Sequence, residues 1–416
     1  MKIVLVQPKT IFGNTWEALS IGYLSSYAKQ HGHDDIDFYS GFFDSDEEIV
    51  DGCQNADIIG FSCTSPQLKH ALQLAKAIKT EKKHVVVGGV HTSALPNDFL
   101  NSGIVDAVVA GEGEKAFLSI IEGNRERVVR CPYVDDLDSL PFPDRFLIKQ
   151  ERNIQQAYRD NGIRIASIFS SRGCPFRCTF CASNAVWSRK VRYRSANNIL
   201  DEFEQVVKDL RIDFIKFSDD TFAIKKDLLT EFCEEKLRRN IKTPWGSNVR
   251  ADTEDEELLK LMKRAGCKEV WIGVESGSAR ILKDMHKGIN LEKVKWLFKA
   301  ASELGFFRRA YMLLGMPGES LDDIKLSENI VDEVKPDAVG FTILAPYPGT
   351  SYYDPMLHRD VDWATVDEYD NCITKTASLS NEDLHREQKR LVAKYRKNIV
   401  YRQRAEVSKD ECETTV

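Results

Sequence analysis

Cys174, Cys178 and Cys181 lie in the run SSRGCPFRCTFCASN, with three residues between the first pair and two between the second. This puts three thiolates on one short loop without a fourth cysteine beside them; the next, Cys233, falls in a helical pattern. Three ligands to a cubane iron–sulfur cluster leave one iron without a protein ligand. Such an open iron can chelate a small molecule and pass it an electron. The other reading is half of a zinc site, which closes with four ligands. No Cys or His follows Cys181 at the usual distance, so the spacing favours the cluster and leaves zinc as the alternative.

The chain has 416 residues, enough for two or three domains. Hydrophobic residues make up 42% and charged residues 29%, the balance of a soluble globular protein. There is no apolar run of transmembrane length and no cleavable signal, and the opening MKIVLVQP reads as a first strand, so a membrane partner is not expected. The net charge of −6, without a long basic run, disfavours nucleic acid. Ten cysteines without a secretory signal suggest a reducing, cytoplasmic location. Cys53, Cys63, Cys131, Cys233, Cys267, Cys372 and Cys412 share no spacing and read as buried or incidental thiols.

Residues 1–130 alternate strand and helix. KIVLVQP, DIDFYS, DIIGFSCTS, HVVVGGVHT and VDAVVAGEGE read as five strands, and ALSIGYLSSYAKQHG as an amphipathic helix ending at Gly32. This pattern predicts a Rossmann-like parallel sheet covered on both faces. Ligands of such sheets bind outside the carboxyl ends of the strands. The informative loops fall there: Gln7–Pro8, Ser62–Pro66 with Thr64 and Ser65, Gly88–His91, and Gly111–Glu114. Gly88, Gly89, Gly111 and Gly113 would let backbone approach a bulky ligand. No G-x-G-x-x-G run follows the first strand, which disfavours a dinucleotide.

Residues 131–160, broken by Pro141 and Pro143, read as a linker. A second alternation fills 161–353, with strands IRIASIFS, FIKFSDD, PWGSNV, EVWIGVE, RAYMLLGM and AVGFTIL. Six β/α repeats suit a partial (β/α)6 barrel, open on one side, whose functional residues gather at the strand carboxyl ends. The cysteine loop, FSDDTF, SNVRAD, GVESGS, LGMPGES and PYPGT all fall at such ends. Residues 354–416 read as a short helical segment with a flexible tail. The fold class expected is therefore α/β, in two successive β/α domains.

The CxxxCxxC spacing, with Phe180 before the last cysteine, resembles the signature of the radical S-adenosylmethionine (SAM) enzymes. GGVHTSALP and DAVVAGEGE resemble loops of the cobalamin-binding domain that precedes many such cores, and LDSLPFPDR resembles the bridge between the two. The resemblance implies a [4Fe-4S] cluster on Cys174, Cys178 and Cys181. The cluster would bind SAM and split it to methionine and a 5′-deoxyadenosyl radical. It further implies SAM contacts at Phe180, Ser247, Arg250, Glu275, Ser276, Gly277 and Gly315. Arg250 could pair with the SAM carboxylate or with Asp252 or Glu275. Cobalamin contacts are implied at Gln7, Pro8, Thr64, Ser65, Gly88, Gly89, His91, Gly111 and Glu112. The Asp-x-His-x-x-Gly motif that supplies cobalt with a histidine is absent, so cobalamin is expected base-off without a histidine ligand, and His91 is expected to shape its loop or meet the corrin edge. Asp219, Asp220 and Tyr347 are candidates for the substrate side. The two aspartates could equally cap a helix, and the tyrosine could be packing. The implied reaction is methyl transfer from methylcobalamin to an unactivated carbon of a small natural-product-like molecule, with electrons from a flavodoxin- or ferredoxin-type donor. The alternatives are a non-methylating cyclisation, rearrangement or oxidation with the same cofactors, a radical SAM enzyme whose first domain is empty, and a cobalamin-binding regulatory protein with an inert barrel.

Overall fold

The computed structural model describes residues 1–398 except 14, 15, 188, 223 and 254. The described chain divides into two compact units. The first is built on Met1–Gly162 and also takes in Cys181–Tyr193 and Tyr347–Thr365; the second comprises Ile163–Phe180, Arg194–Pro346 and the chain from Val366 on.

In the first unit, strands β1 (Ile3–Gln7), β2 (Ile36–Ser40), β3 (Ile58–Ser62), β4 (His84–Gly88), β5 (Ala107–Val109) and β6 (Val128–Val129) form one sheet in the order β2-β1-β3-β4-β5-β6. Every pairing is parallel. Helices α1 (Leu19–Gln30), α2 (Asp46–Gly52), α3 (Leu68–Ile78), α4 (Val90–Ala94), α5 (Pro96–Leu100) and α6 (Glu114–Ile121) connect them. α1 packs beside α6 and α2 beside α3. Covered sheets bury both faces of their strands, which is why β1 and β3 read as unbroken apolar runs. The strand order reverses between β1 and β3, and the crevice outside their carboxyl ends is where such sheets hold ligands. The sixth strand, only two residues long, carries too little pattern to be expected.

The stretch 131–160 is not a free linker. Val134, Leu137 and Leu140 pack with Tyr27 of α1. The Asp144 N–H donates to the Gly22 carbonyl at 3.0 Å, and Lys29 pairs with Asp144 at 2.7 Å. A Cβ on Gly22 would stand 2.9 Å from Pro143, so only glycine admits this crossing. Helix α7 (Glu151–Asn161) closes the stretch, and its Arg152 bonds Asp44. The reason is apolar surface that the prolines do not reveal: three buried side chains must be covered.

The second unit holds β7 (Ile165–Ile168) and the two-residue β8 (Ser171–Arg172), which enters the cysteine loop. Beyond Phe180 the chain returns to the first unit with α8 (Ser183–Val186) and β9 (Arg192–Tyr193). The second unit resumes with α9 (Ala196–Leu210), β10 (Phe214–Phe217), α10 (Lys226–Arg238), β11 (Trp245–Val249), α11 (Glu256–Arg264), β12 (Cys267–Glu275), α12 (Ala279–Asp284), α13 (Leu291–Glu303), β13 (Phe307–Leu314), α14 (Leu321–Val334) and β14 (Ala338–Ile343). Its six barrel strands run in the order β14-β13-β12-β11-β10-β7, parallel throughout, as six β/α repeats predict. Helix α9 shows how the sequence builds the outer layer: Ser195 caps it by accepting the Asn198 N–H at 3.2 Å, and Ile199, Leu200, Phe203, Val206 and Leu210 form its buried stripe. Between β10, α10 and β11 four rings interlock: Phe217, Phe222, Phe232 and Trp245, with Phe217, Phe232 and Trp245 in mutual edge-to-face contact at 5.4–5.5 Å. The C-terminal helix α15 (Asn381–Lys394) starts in a Ser380–Asp383 capping box and lies along β14. The tail expected beyond it falls outside the described residues.

Residues 181–193, expected within the barrel domain, and 347–365, expected to end it and begin the C-terminal segment, are grouped with the first unit. Residues 181–193 pack there because α8 lies beside α4, the Tyr133 hydroxyl donates to the Val186 carbonyl at 3.0 Å, and Arg192 pairs with Glu112. Residues 347–365 pack there through Lys69–Asp362 at 2.7 Å and the rings of Tyr347, Tyr353 and Trp363.

Candidate cofactor-binding sites

In the second unit, the strand carboxyl ends carry the cysteine loop as far as Phe180, and with it Cys174 and Cys178; Cys181 opens the stretch grouped with the first unit. All three cysteines are half-buried thiols outside any disulfide. The loop stem is fixed by Asp219, just past β10. Its carboxylate accepts the Ser170 N–H at 3.0 Å, the Ser170 hydroxyl at 2.8 Å and the Ser171 hydroxyl at 2.6 Å. Asp219 is 2% exposed, and burial pushes its carboxyl up to about 6 against the pull of those donors. A side chain so buried and so fully bonded does not face a substrate; its work is to lock the launch point of the loop. Asp220 beside it is exposed.

Each aromatic of the loop meets a cation. The Arg250 guanidinium stacks 3.6 Å from the Phe176 ring centre, and Lys287 Nζ stands 5.7 Å from that of Phe180. Both cations are tied: Arg250 to Asp252 at 2.9 and 3.0 Å and to the Lys287 carbonyl at 2.8 Å, Lys287 to Glu275 at 2.6 Å. Of the two roles open to Arg250 in the sequence, the geometry supplies the pair with Asp252. Burial raises the Cys178 thiol, while Lys287 and Arg250 pull it down.

Glu275 ends β12 at φ +64°, in the left-handed region, at a break in register with β13. Ser276 and Gly277, expected at SAM, build the turn instead. The Ser276 hydroxyl lies 3.2 Å from the Ser327 hydroxyl of α14, and the Gly277 N–H donates to Ser327 at 2.9 Å. A Cβ on Gly277 would stand 2.1 Å from the Leu326 carbonyl oxygen, so the residue is there to let α14 approach. Ser247 is different: it is fully buried, and its hydroxyl has no partner. Buried hydroxyls are ordinarily bonded, so this atom in the middle of β11 awaits one.

Gly315 (φ +89°) opens the LGMPGES turn, and its N–H donates to Glu319. The sequence reading passed over Glu319. It is fully buried, its second carboxyl oxygen has no partner, and burial pushes it up to about 7. A glutamate immediately after the Pro317–Gly318 step was the available signal, but a helix-start acid reads the same way.

In the first unit, the sheet's carboxyl edge is held by an internal polar network. Gln7 accepts the Ser40 hydroxyl at 3.0 Å and donates to the Trp16 carbonyl at 3.1 Å, while the Pro8 carbonyl accepts from Gln67. Thr64 donates to Gln67 through its N–H at 2.9 Å and its hydroxyl at 3.0 Å. His91 is fully buried, with Nδ1 2.9 Å from the Ser65 hydroxyl and Nε2 3.1 Å from Asp98. Both ring nitrogens are occupied, so His91 fixes the loop and has no nitrogen left for a metal or a corrin edge. Glu112 is likewise internal: its carboxylate accepts the Val134 N–H at 2.7 Å and Arg192 at 2.8 Å, both side chains 3% exposed. Gly89 adopts φ +123°, and a Cβ there would meet the Cys63 carbonyl oxygen at 2.3 Å. Gly111 adopts φ +97° with nothing nearer its absent Cβ than the Val186 carbonyl oxygen at 4.0 Å. Gly88 has ordinary space, with Val109 at 3.5 Å. Tyr347 stands half-buried against Trp363, ring centres 5.9 Å apart.

Residues 10–121 match the model of the B12 binding domain, and residues 168–329 that of the radical SAM superfamily. The chain is a radical SAM protein with a B12-binding domain. It is similar to an uncharacterized methyltransferase of Pyrococcus horikoshii, 27% identical over 87% of this chain and 84% of that one. It is also similar to the anaerobic magnesium-protoporphyrin IX monomethyl ester cyclase of Rubrivivax gelatinosus, 26% identical over 86% of this chain and 70% of that one. Among solved structures, the radical SAM methyltransferase TsrM of Kitasatospora setae, with cobalamin and a [4Fe-4S] cluster bound, superposes with a TM-score of 0.74 at 15% identity, covering 100% of this chain and 94% of that one. The cofactors of this radical SAM enzyme are accordingly a [4Fe-4S] cluster, SAM and cobalamin.

The residues present fit those groups. Among the described residues, no three Cys, His, Asp or Glu side chains converge on a point that one metal ion could occupy. A cubane, which gives each thiolate its own iron, does not require them to. The unpartnered Ser247 hydroxyl offers SAM a polar contact, and Gly111 leaves the open edge that a corrin needs. Among the described residues, no helix is long and apolar enough to cross a membrane.

Two outcomes follow. Glu319 keeps its proton in the folded state up to about 7, whereas an unfolded glutamate loses it near ~4.3. The folded state therefore binds more protons in that window, and stability falls as pH rises through it, then levels off. Glu319→Gln should remove this part of the slope, so the stability difference between wild type and variant, measured by urea denaturation, should change between those pH values and stay constant above. A difference that is flat throughout would contradict the buried-acid assignment. For cobalamin bound in the cob(II) state, the electron paramagnetic resonance spectrum should lack nitrogen splitting from a protein imidazole. Splitting that His91→Ala abolishes would contradict the occupied ring.

Proposed function

We propose that the protein transfers a methyl group to an unactivated carbon of a small molecule, with a SAM-derived radical opening the C–H bond and cobalamin carrying the methyl group. The observation that carries this reading is a loop of three cysteines on a radical SAM domain in the same chain as a B12-binding domain. An unactivated carbon has neither an acidic proton nor a lone pair, so polar methyl transfer cannot reach it; radical chemistry can, and a methyl carrier then completes the reaction.

In this reading Cys174, Cys178 and Cys181 hold the cluster, and Asp219 keeps the loop that bears the first of them in place. Ser247 within β11, and Glu275 and Gly315 at strand ends, meet SAM. Arg250 and Lys287, each paired with a carboxylate, brace the loop through Phe176 and Phe180. Gly89, Gly111 and the Gln7–Pro8 and Thr64–Ser65 loops form the cobalamin edge, with His91 and Asp98 as its internal brace. Asp220 and Tyr347 remain candidates for the substrate side. The cobalamin is bound base-off, the electron donor is of flavodoxin or ferredoxin type, and the compartment is the reducing cytoplasm.

A second reading, ring formation without methylation, is favoured by one observation: the Rubrivivax relative is a cyclase. The test is anaerobic turnover of the reconstituted protein with methyl-labelled SAM and a small-molecule metabolite extract. Deoxyadenosine together with label in a small molecule is expected. Deoxyadenosine with an unlabelled product would transfer the assignment to the cyclase-type reading, and the absence of deoxyadenosine would overturn both.

A further inference from the structure

The strand end after β10 does more than hold the loop stem. Its sequence FSDDTF sets the Thr221 hydroxyl between buried anchors. Asp219 is sunk among the donors of Ser170 and Ser171, and Phe217 and Phe222 are buried in the four-ring cluster, 4.5 Å apart. Thr221, held between those anchors and 8% exposed, has little freedom to move. Its hydroxyl lies 3.7 Å from the Cys174 sulfur, within sulfur hydrogen-bond range, and 2.8 Å from the carbonyl of the adjoining Asp220. A hydroxyl has one hydrogen to give. The hydroxyl rotor can turn that hydrogen from the carbonyl of Asp220 to a thiolate at Cys174. An iron-bound thiolate can only accept, so the direction of the sulfur contact is fixed once Cys174 is a ligand.

We infer that Thr221 donates its hydroxyl hydrogen to the Cys174 thiolate and thereby raises the reduction potential of the cluster. The inference rests on the cluster assignment above. Reduction adds negative charge that is shared with the ligand sulfurs, and a hydrogen bond to sulfur stabilises that state more than the oxidised one. Thr221 is therefore a positioning and tuning residue: it does not touch SAM or substrate, and it acts through Cys174.

The experiment is a potentiometric titration of the anaerobically reconstituted full-length protein without SAM, followed by the electron paramagnetic resonance signal of the reduced cluster, with iron content measured on every sample. Thr221→Val keeps the shape and removes the hydroxyl, and should move the midpoint to more negative potential at full iron content. Thr221→Ser keeps the hydroxyl and should titrate with wild type. If the valine variant does not fold, Thr221→Ala carries the same expectation. A midpoint unchanged in both hydroxyl-free variants, with iron intact, overturns the inference. Failure of the underlying assignment reads differently: Cys174→Ala would then retain the wild-type iron content and spectrum.

Discussion

A parallel sheet sends all its strands' carboxyl ends to one edge, and each unit of this protein is built on that constraint. In the second unit, six parallel strands deliver Cys174, Cys178, Glu275 and Gly315 to the same edge. In the first, β1, β3, β4 and β5 do the same for Gln7, Thr64, Gly89 and Gly111. Backbone hydrogen bonds between strands thus do the coarse positioning, and side chains need only refine it. The refinement is done by buried polar groups: Asp219 beneath the cysteine loop, Ser327 behind the Ser276–Gly277 turn, His91 and Glu112 behind the glycine loops.

Those braces carry much of the local stability. Removing one partner of a buried ion pair such as Arg192–Glu112, with both side chains 3% exposed, leaves an uncompensated charge and costs about 3–5 kcal/mol. The same logic explains why the edges can stay polar without collapsing. Donors and acceptors satisfy one another beneath the surface, and a few groups, the Ser247 hydroxyl and one Glu319 oxygen among them, are left without a protein partner.

The strands are legible because short runs rich in apolar, β-branched and aromatic residues recur between helical patterns: all six barrel strands overlap the runs read as strands. The trio of cysteines is legible because chemistry fixes its spacing. The roles of single polar residues are not legible in the same way. Asp219, His91, Glu112 and Ser276 each stand at a strand end, where a ligand-facing side chain and an inward brace look identical in one dimension; burial separates them, and burial depends on neighbours distant in sequence. Ser327 lies in a helix that says nothing of the Ser276 turn it supports. The unit boundaries are hidden for the same reason, since residues 181–193 and 347–365 join the first unit through contacts distant in sequence, such as Arg192–Glu112, Lys69–Asp362 and the Tyr347–Trp363 rings.

The account depends on a cubane with one iron left for SAM, because every later step needs that electron path. Mössbauer spectroscopy of protein reconstituted anaerobically with 57Fe tests it most directly. The account predicts a [4Fe-4S] spectrum in which one iron changes its parameters when SAM is added while the other three do not. A preparation that holds zinc instead of the cluster, or a cluster whose four irons are all indifferent to SAM, would contradict it.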